Sequence, residues 1–412
     1  MDAANVPVSP AAEASANPHS STRSLARGRP GLLLAALMTG PMCISLGLVA
    51  CMASLPQIAQ DFGSRGTFIA QMMISVVAFG LMLGAAVSGW ILARMGTRGT
   101  YIASAVLFAA AGAGGMFLGN ANLLLASRFL TGFAAVVLST ACFWVIGTEY
   151  DEQRRARAFG LATASSNATS IVTVTIGAAL AQLGGWRLSF VQYPVFGALI
   201  VLLGLLALRQ AKPGSESGAK PRTPFFWRLL PFYLLAALLF LILFMASTQF
   251  VFLLQADGVT SPTVRSVFLS TYTVFGALTG LAYGPIHRRL SMTGTFALGL
   301  ASMAVALALL GWSRNPAGAA AGSVLIGVFI GIIATYINQF VAHETDAASR
   351  GHALGLLMMF CYLGGFLNPL VLTPLTREIG LRSVFLTAAL VMAVIAAGAA
   401  ARLRRVRLPQ ST

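Results

Sequence analysis

The sequence is short of charge. Of its 412 residues, 9% are Asp, Glu, Lys or Arg, where a soluble domain carries about 25%. Acid is scarcer than base, with 11 Asp and Glu against 27 Lys and Arg, a formal net charge of +16. Cysteine is scarce too: Cys43, Cys51, Cys142 and Cys361 stand apart inside apolar runs, without CxxC or other metal-ligand spacing. That excludes a disulfide framework and a thiolate metal site. No nucleotide-binding glycine loop, metal cluster or nucleophile motif is present, so no enzymatic chemistry and no cofactor are expected.

Hydrophobic residues make up 57% of the chain, and the mean hydropathy is +0.81. A bilayer core takes about 20 apolar residues per helix, and runs of that size recur from Leu32 to Ala401. Twelve segments can be marked: Leu32–Leu55, Phe68–Leu92, Tyr101–Leu118, Leu123–Ile146, Ala158–Leu183, Leu188–Leu208, Leu229–Leu254, Ser266–Ile286, Met292–Trp312, Ala317–Val341, Ala353–Leu375 and Val384–Ala401. None alternates polar with apolar, as the strands of a membrane barrel do over about ten residues. The fold class predicted is therefore all-α integral membrane, with twelve transmembrane helices.

The basic excess is a topology signal. Six arginines (Arg65, Arg187, Arg265, Arg314, Arg377 and Arg382) lie in the odd-numbered junctions, Arg128 lies inside a segment, and the other twenty basic residues lie in the tails and even-numbered junctions. By the positive-inside rule the latter side, with both termini, is cytoplasmic. The expected partner is the lipid bilayer, and no nucleic acid is implied. Residues 1–30 read as a disordered cytoplasmic tail. The apolar run after Arg23, Arg27 and Arg29 is too long for a signal-peptide core and is read as a retained first span.

The stretch 209–228 carries Lys212, Pro213, Gly214, Glu216, Gly218, Lys220, Pro221, Arg222 and Pro224. It reads as a cytoplasmic linker between a six-helix bundle at 31–208 and another at 229–402, with a tail at 403–412. The halves repeat. A shift of 195 residues superposes Gly89 on Gly284, Arg94 on Arg289, Gly99 on Gly294, Gly132 on Gly327, Glu149 on Glu344, Asp151 on Asp346, Arg155 on Arg350 and Arg187 on Arg382. Duplicated halves around a midplane site are a signature of secondary transporters.

Four motifs carry a family resemblance. Gly89-Trp-Ile-Leu-Ala93-Arg94-Met-Gly96-Thr-Arg98 resembles the Gly-x-x-x-Asp-Arg-x-Gly-x-Arg junction of the major facilitator superfamily, with Ala93 replacing the acid. Arg128-Phe-Leu-Thr-Gly132 is similar to that family's Arg-x-x-x-Gly signature. Leu55-Pro56 to Asp61-Phe62-Gly63 and Gly185-Trp186-Arg187 with Phe190 are similar to its exit from the first helix and its approach to the sixth. The resemblance covers Leu32 to Ala401. It implies two pseudo-symmetric six-helix bundles, a small-molecule substrate, alternating access and a monomer in the inner membrane.

The resemblance also implies a cytoplasmic latch. Gly89 and Gly96 would permit close backbone approach and a tight turn. Arg94, Arg98, Arg155, Arg289 and Arg350 would pair with acids such as Glu149, Asp151, Glu344 and Asp346. Solvated charges are the alternative. Arg128 is the one charge inside a predicted span, which is a functional hypothesis by default. It lies about 8 Å from the start of its helix at about 1.5 Å per residue, within reach of snorkelling. A substrate or coupling role and a structural role both stand.

No acid or histidine lies inside a span. If transport is proton-coupled, Asp61 at the outer end of the first segment is the best-placed carrier. The fifth segment lacks the Gly-Pro signature of the family's proton antiporters and offers Ser166, Asn167, Ser170 and Thr173, as ligands or as packing groups. The family lines its cavity with the first, fourth, seventh and tenth helices. On that basis Trp144, Gln249, Tyr336, Asn338 and Gln339 face substrate, with Tyr272, Tyr362 and Asn368 as neighbours. Walls of Met, Phe, Leu and Ala favour an amphipathic solute over a sugar. The expected function is efflux of a drug-like molecule or metabolite. The alternatives are an uptake carrier or uniporter for a small organic anion, with Arg128 as counter-charge, and a non-transporting membrane sensor of the same fold.

Overall fold

The computed structural model describes residues 30–208, 224–345 and 347–407. The expected N-terminal tail, most of the linker, the last five residues and Asp346 lie outside the described residues. The elements among the described residues are helices: α1 Pro30–Val49, α2 Leu55–Asp61, α3 Gly66–Phe117, α4 Ala121–Glu149, α5 Glu152–Gly184, α6 Gln192–Ala207, α7 Pro224–Ala256, α8 Pro262–Leu281, α9 Tyr283–Trp312, α10 Pro316–Glu344, α11 Ala347–Ile379 and α12 Leu381–Arg407, with short 3-10 turns at Met52–Ser54, Gly63–Arg65 and Trp186–Val191.

Three predicted boundaries move. The first segment breaks after Val49, and a separate helix, α2, carries Pro56 in its first turn, where a missing N–H costs nothing. The linker ends earlier than 228, because Pro224 opens α7. The C-terminal tail begins later than 403, because α12 continues to Arg407.

Among the described residues, ten helical stretches are long and apolar enough to cross a bilayer. One of them, Gly63–Phe117, has 55 residues, roughly 80 Å at 1.5 Å per residue, against a hydrocarbon core of about 30 Å. It is two limbs folded at Gly96, whose φ of 72° and ψ of 171° interrupt α3. These limbs are the second and third predicted segments. The less apolar α8 stands outside the ten and, with the first turns of α9, occupies the place of the eighth.

The repeat is written into the backbone. Positive φ occurs among the described residues at Gly63, Gly96, Gly185, Gly258, Ser291 and Gly380. These form three pairs, each 195 residues apart. The helix caps repeat as well. Asn120 accepts from the Asn122 and Leu123 amides, and Asn315 accepts from Gly318. Arg187 donates to the Leu118 carbonyl at 2.9 Å, and Arg382 donates to Ser313, the matching residue, at 2.8 Å.

In the first half α3 packs on α4 and α6, and α1 packs on α4 and α5. In the second, α9 packs on α12 and α10, α8 on α10, and α7 on α11. The halves meet along two seams, α3 against α11 and α5 against α8. Outward surfaces are apolar, as Val195, Leu199, Leu202 and Leu206 of α6 illustrate. Phe117, Trp227 and Trp312 stand exposed at helix ends, where aromatic side chains mark the two bilayer interfaces. The chain is a multi-pass membrane protein. The face carrying the ends of α4 and α10 and the breaks at Gly96 and Ser291 is here termed the terminal face, and its opposite the far face.

Candidate functional site

The hydrogen bonds joining the two halves gather toward the far face. Gln71 of α3 donates through Nε2 to Gln249 Oε1 of α7 at 3.1 Å, and Thr373 of α11 donates to Gln71 Oε1 at 2.9 Å. All three residues are buried. Below them Phe79 and Phe366 stack across the same seam with centroids 4.5 Å apart. On the other seam the Ser261 and Thr263 hydroxyls both donate to Gln182 of α5, and the Thr175 and Ser270 hydroxyls are 3.5 Å apart.

Toward the terminal face the α5/α8 seam parts into a cleft of about 790 Å3. That is within the ~300–1,000 Å3 usual for small-molecule sites. Its walls come from α5, α8 and α10, with Val49 of α1 at the deep end. The polar side chains facing it are Thr163, Asn167 and Ser170 of α5, Tyr272 and Thr273 of α8, and Thr335 of α10. Spacing of four and three residues places the α5 trio on one face. The rest of the wall is Gly, Ala, Val, Ile and Leu.

Of the residues predicted from sequence, Asn167, Ser170 and Tyr272 line this cleft. The others do not; of the expected first, fourth, seventh and tenth helices, the tenth contributes with α5 and α8, and the first contributes Val49. The reason is that packing uses the remaining polar groups. Gln249 belongs to the far-face bridge. Asn368 donates to the Leu241 carbonyl at 3.0 Å, tying α11 to α7. Tyr336 stacks on Phe296 at 4.5 Å. Asn338 turns back to its own helix at Ala334, and Gln339 accepts from Tyr283 at 2.8 Å. Trp144 and Tyr362 are half-buried against the core. Ser166 meets Ser45 at 2.6 Å and Pro41 at 3.2 Å, fastening α5 to α1, and Thr173 bonds back to Thr169.

Arg128 is 0% exposed, so although within reach of snorkelling it does not do so. Its Nε donates to the Met73 carbonyl at 3.3 Å, Nη1 to the Tyr193 hydroxyl at 2.8 Å and Nη2 to the Gly47 carbonyl. The guanidinium also lies 5.1 Å from the Tyr193 ring and 5.5 Å from Phe190. It thus binds α4 to α1, α3 and α6 at once, inside the first half and away from the cleft. Asp61 closes α2 at the far face, where its Oδ2 accepts from Trp186 Nε1 at 2.6 Å.

The latch residues are spread over the terminal face. Arg94 is exposed, 5.4 Å over the Trp90 ring. The Arg98 Nε is buried without a hydrogen-bond partner. Arg155 bonds to the Tyr150 carbonyl, Arg289 is exposed, and Asp151 caps α5 while pairing with Arg154 at 3.5 Å. Glu344 pairs with Arg228 at 3.3 Å, within the second half. The side chains of Glu149 and Arg350 lie outside the described residues. Gly96 makes the turn expected of it. Gly89 does not make a close approach, since a Cβ there would meet open space.

Sequence reading missed Thr163, Thr273, Thr335 and the Gln71–Thr373 bond. Gln71 carried a usable signal, being an amide amid an apolar run. Thr163 extended the Asn167 face by one turn.

A family model described as Major Facilitator Superfamily matches residues 36–369 and 260–412. The Multidrug resistance protein MdtL of Escherichia coli O139:H28 and that of Shigella boydii serotype 18 are each 24% identical over 177 residues, 43% of this chain and 45% of theirs. The chain therefore spans less than half the length of the curated relatives it matches. Among solved structures, the nucleoside transporter NupG superposes with a TM-score of 0.71 at 15% identity, covering 90% of this chain and 98% of that one. A POT family transporter in complex with a thioalcohol conjugated peptide gives 0.73 at 13% identity, over 91% and 96%. At such identities the likeness is one of fold. With the family model matched over most of the chain, and with the paired backbone turns and the two seams of helices in place, the chain belongs to the major facilitator superfamily.

Proposed function

We propose that this protein is a secondary transporter working by alternating access, and that it exports a small amphipathic molecule across the inner membrane. The observation that carries this reading is the shape of the interface between the halves. It is bonded toward the far face by Gln71, Gln249 and Thr373 and parted toward the terminal face into a cleft of about 790 Å3. Halves bonded toward one face and parted toward the other fit a state open to one side, and rocking of one half against the other would exchange the sides. The basic bias puts the terminal face, with both termini, in the cytoplasm. The cleft then loads from within the cell, as export requires. Likeness to multidrug resistance proteins supports the same direction.

In this state the Arg94 loop is free of ion pairs with described residues, as expected of a latch that closes only when the terminal face closes. Arg128 donates from each of its three nitrogens to partners inside the first half and does not line the cleft, so it is no counter-charge for an anion there. The test is solute flux in proteoliposomes with and without an imposed proton gradient. Accumulation of an amphipathic solute by proteoliposomes carrying inside-out oriented protein supports the reading, and flux equal to that of protein-free liposomes contradicts it.

A further inference from the structure

The cleft has an uneven supply of hydrogen-bonding groups. Its hydroxyls are already engaged as donors. Thr163 donates to the Phe159 carbonyl at 3.1 Å, Ser170 to Ser166 at 3.2 Å, Thr273 to Leu269 at 3.1 Å and Thr335 to Gly331 at 3.1 Å. Tyr272 points its hydroxyl to Met52 Sδ at 3.5 Å. Asn167 alone among these polar wall residues has a side chain with no bond to a described residue, so its amide faces the cavity with two N–H donors and a carbonyl acceptor free.

The wall also has no formal charge. Its one ionisable side chain is Tyr272, a phenol that is neutral at physiological pH. An ion entering it would leave water and meet no opposite charge, the situation in which burial is most costly. Two buried cations lie outside this wall: Arg128 is held by its own partners in the first half, and Arg265, near the start of α8, donates to Gln255 Oε1 and the Thr260 carbonyl. Cations meet a second obstacle, because Arg94, Arg157, Arg288 and Arg289 stand exposed on the terminal face. These basic groups repel positive solutes on approach.

We propose that the cleft between α5 and α8 selects neutral amphipathic molecules, anchored through one hydrogen-bonding group by the Asn167 amide, and rejects permanent anions and cations. The proposal rests on the transport reading and specifies its substrate class. Apolar walls supply most of the affinity, and Asn167 fixes orientation. No proton is needed to neutralise the ligand in this site.

A matched set of probes tests it on the full-length protein in lipid nanodiscs. N-phenyl-1-naphthylamine is neutral, with one N–H donor. 1-Anilinonaphthalene-8-sulfonate has the same rings and a negative charge, and tetraphenylphosphonium is a lipophilic cation. Specific fluorescence, taken as the difference from empty nanodiscs, is expected to saturate with the neutral probe. The two ions should bind or compete at least tenfold more weakly. Asn167→Leu, which keeps the branched four-atom shape of the side chain, should weaken the neutral probe about tenfold, the loss of one buried hydrogen bond. Asn167→Asp should invert the selectivity toward tetraphenylphosphonium. Because Asn167 bonds to nothing described in the fold, both variants should elute as wild type in size exclusion. Equal binding of the ions, no binding of the neutral probe, or unchanged affinity in Asn167→Leu overturns the proposal. Proteoliposome flux with a charged solute would then leave the transport reading standing, while no flux with any solute would remove both.

Discussion

Arg128 is the residue whose role changed most between sequence and structure. A charge in a span was rightly marked as costly, but its partners were not readable, because two of them are backbone carbonyls on α1 and α3 and the third is a tyrosine 65 positions away. Removing it takes away the donor to the Tyr193 hydroxyl and to the Met73 and Gly47 carbonyls, and loosens four helices. Arg128→Ala should cost on the order of 3 kcal/mol, seen as a lower unfolding temperature and folded yield, with neutral-probe affinity unchanged in what folds. Normal stability with lost affinity would return Arg128 to the binding site. Asp61 follows the same logic. Asn can still accept from Trp186 Nε1, so Asp61→Asn should keep both stability and gradient-driven transport. Loss of accumulation with retained exchange would make Asp61 the proton carrier instead. Ser291 holds a backbone conformation with φ 65° and ψ 170° that is nearly exclusive to glycine and costs a side chain about 1–3 kcal/mol. Ser291→Gly should therefore raise the unfolding temperature, and Gly96→Ser, its mirror in the first half, should lower it.

At the scale of helices, apolar length predicted which parts of the chain cross the bilayer, and the 195-residue offset predicted that the halves share one plan. Composition could not place the breaks. The turn after Val49 and the extension of α7 to Pro224 depend on neighbours in space. Nor could it assign the cavity wall, because amides and tyrosines serve helix contacts as readily as ligands. Asn167 and Gln249 look alike in sequence, yet one faces open space and the other spans the two halves. Motif glycines divide in the same way. Gly132 is required because a Cβ there would lie 2.2 Å from the Val77 carbonyl, and its repeat Gly327 meets Tyr272 in the same manner at 2.7 Å. Gly132→Leu should force α4 away from α3 and collapse folded yield, whereas Gly89→Ala should be tolerated in this conformation. Equal tolerance of both would mean that the α3/α4 crossing is not as described.

For the molecule as a whole, the far-face bridge and the terminal latch form a pair of opposed closures. The bridge is made of neutral amides and a hydroxyl, and one amide group of Gln249 is buried without a partner. Its two hydrogen bonds are worth about 1 kcal/mol each, weak enough for the halves to part. Gln249→Leu should shift the population toward opening at the far face. Arg94→Ala should slow transport without lowering folded yield, because the arginine bonds to no acid described in this state. The most direct test of alternating access needs no substrate. The native cysteines are buried and can be replaced, leaving Asn167→Cys as the single thiol, in the cleft wall. A membrane-impermeant maleimide should label it rapidly from the terminal face and, more slowly, from the far face, with the far-face rate rising when Gln249→Leu is added. Labelling from the terminal face alone, unchanged by Gln249→Leu, would contradict alternating access.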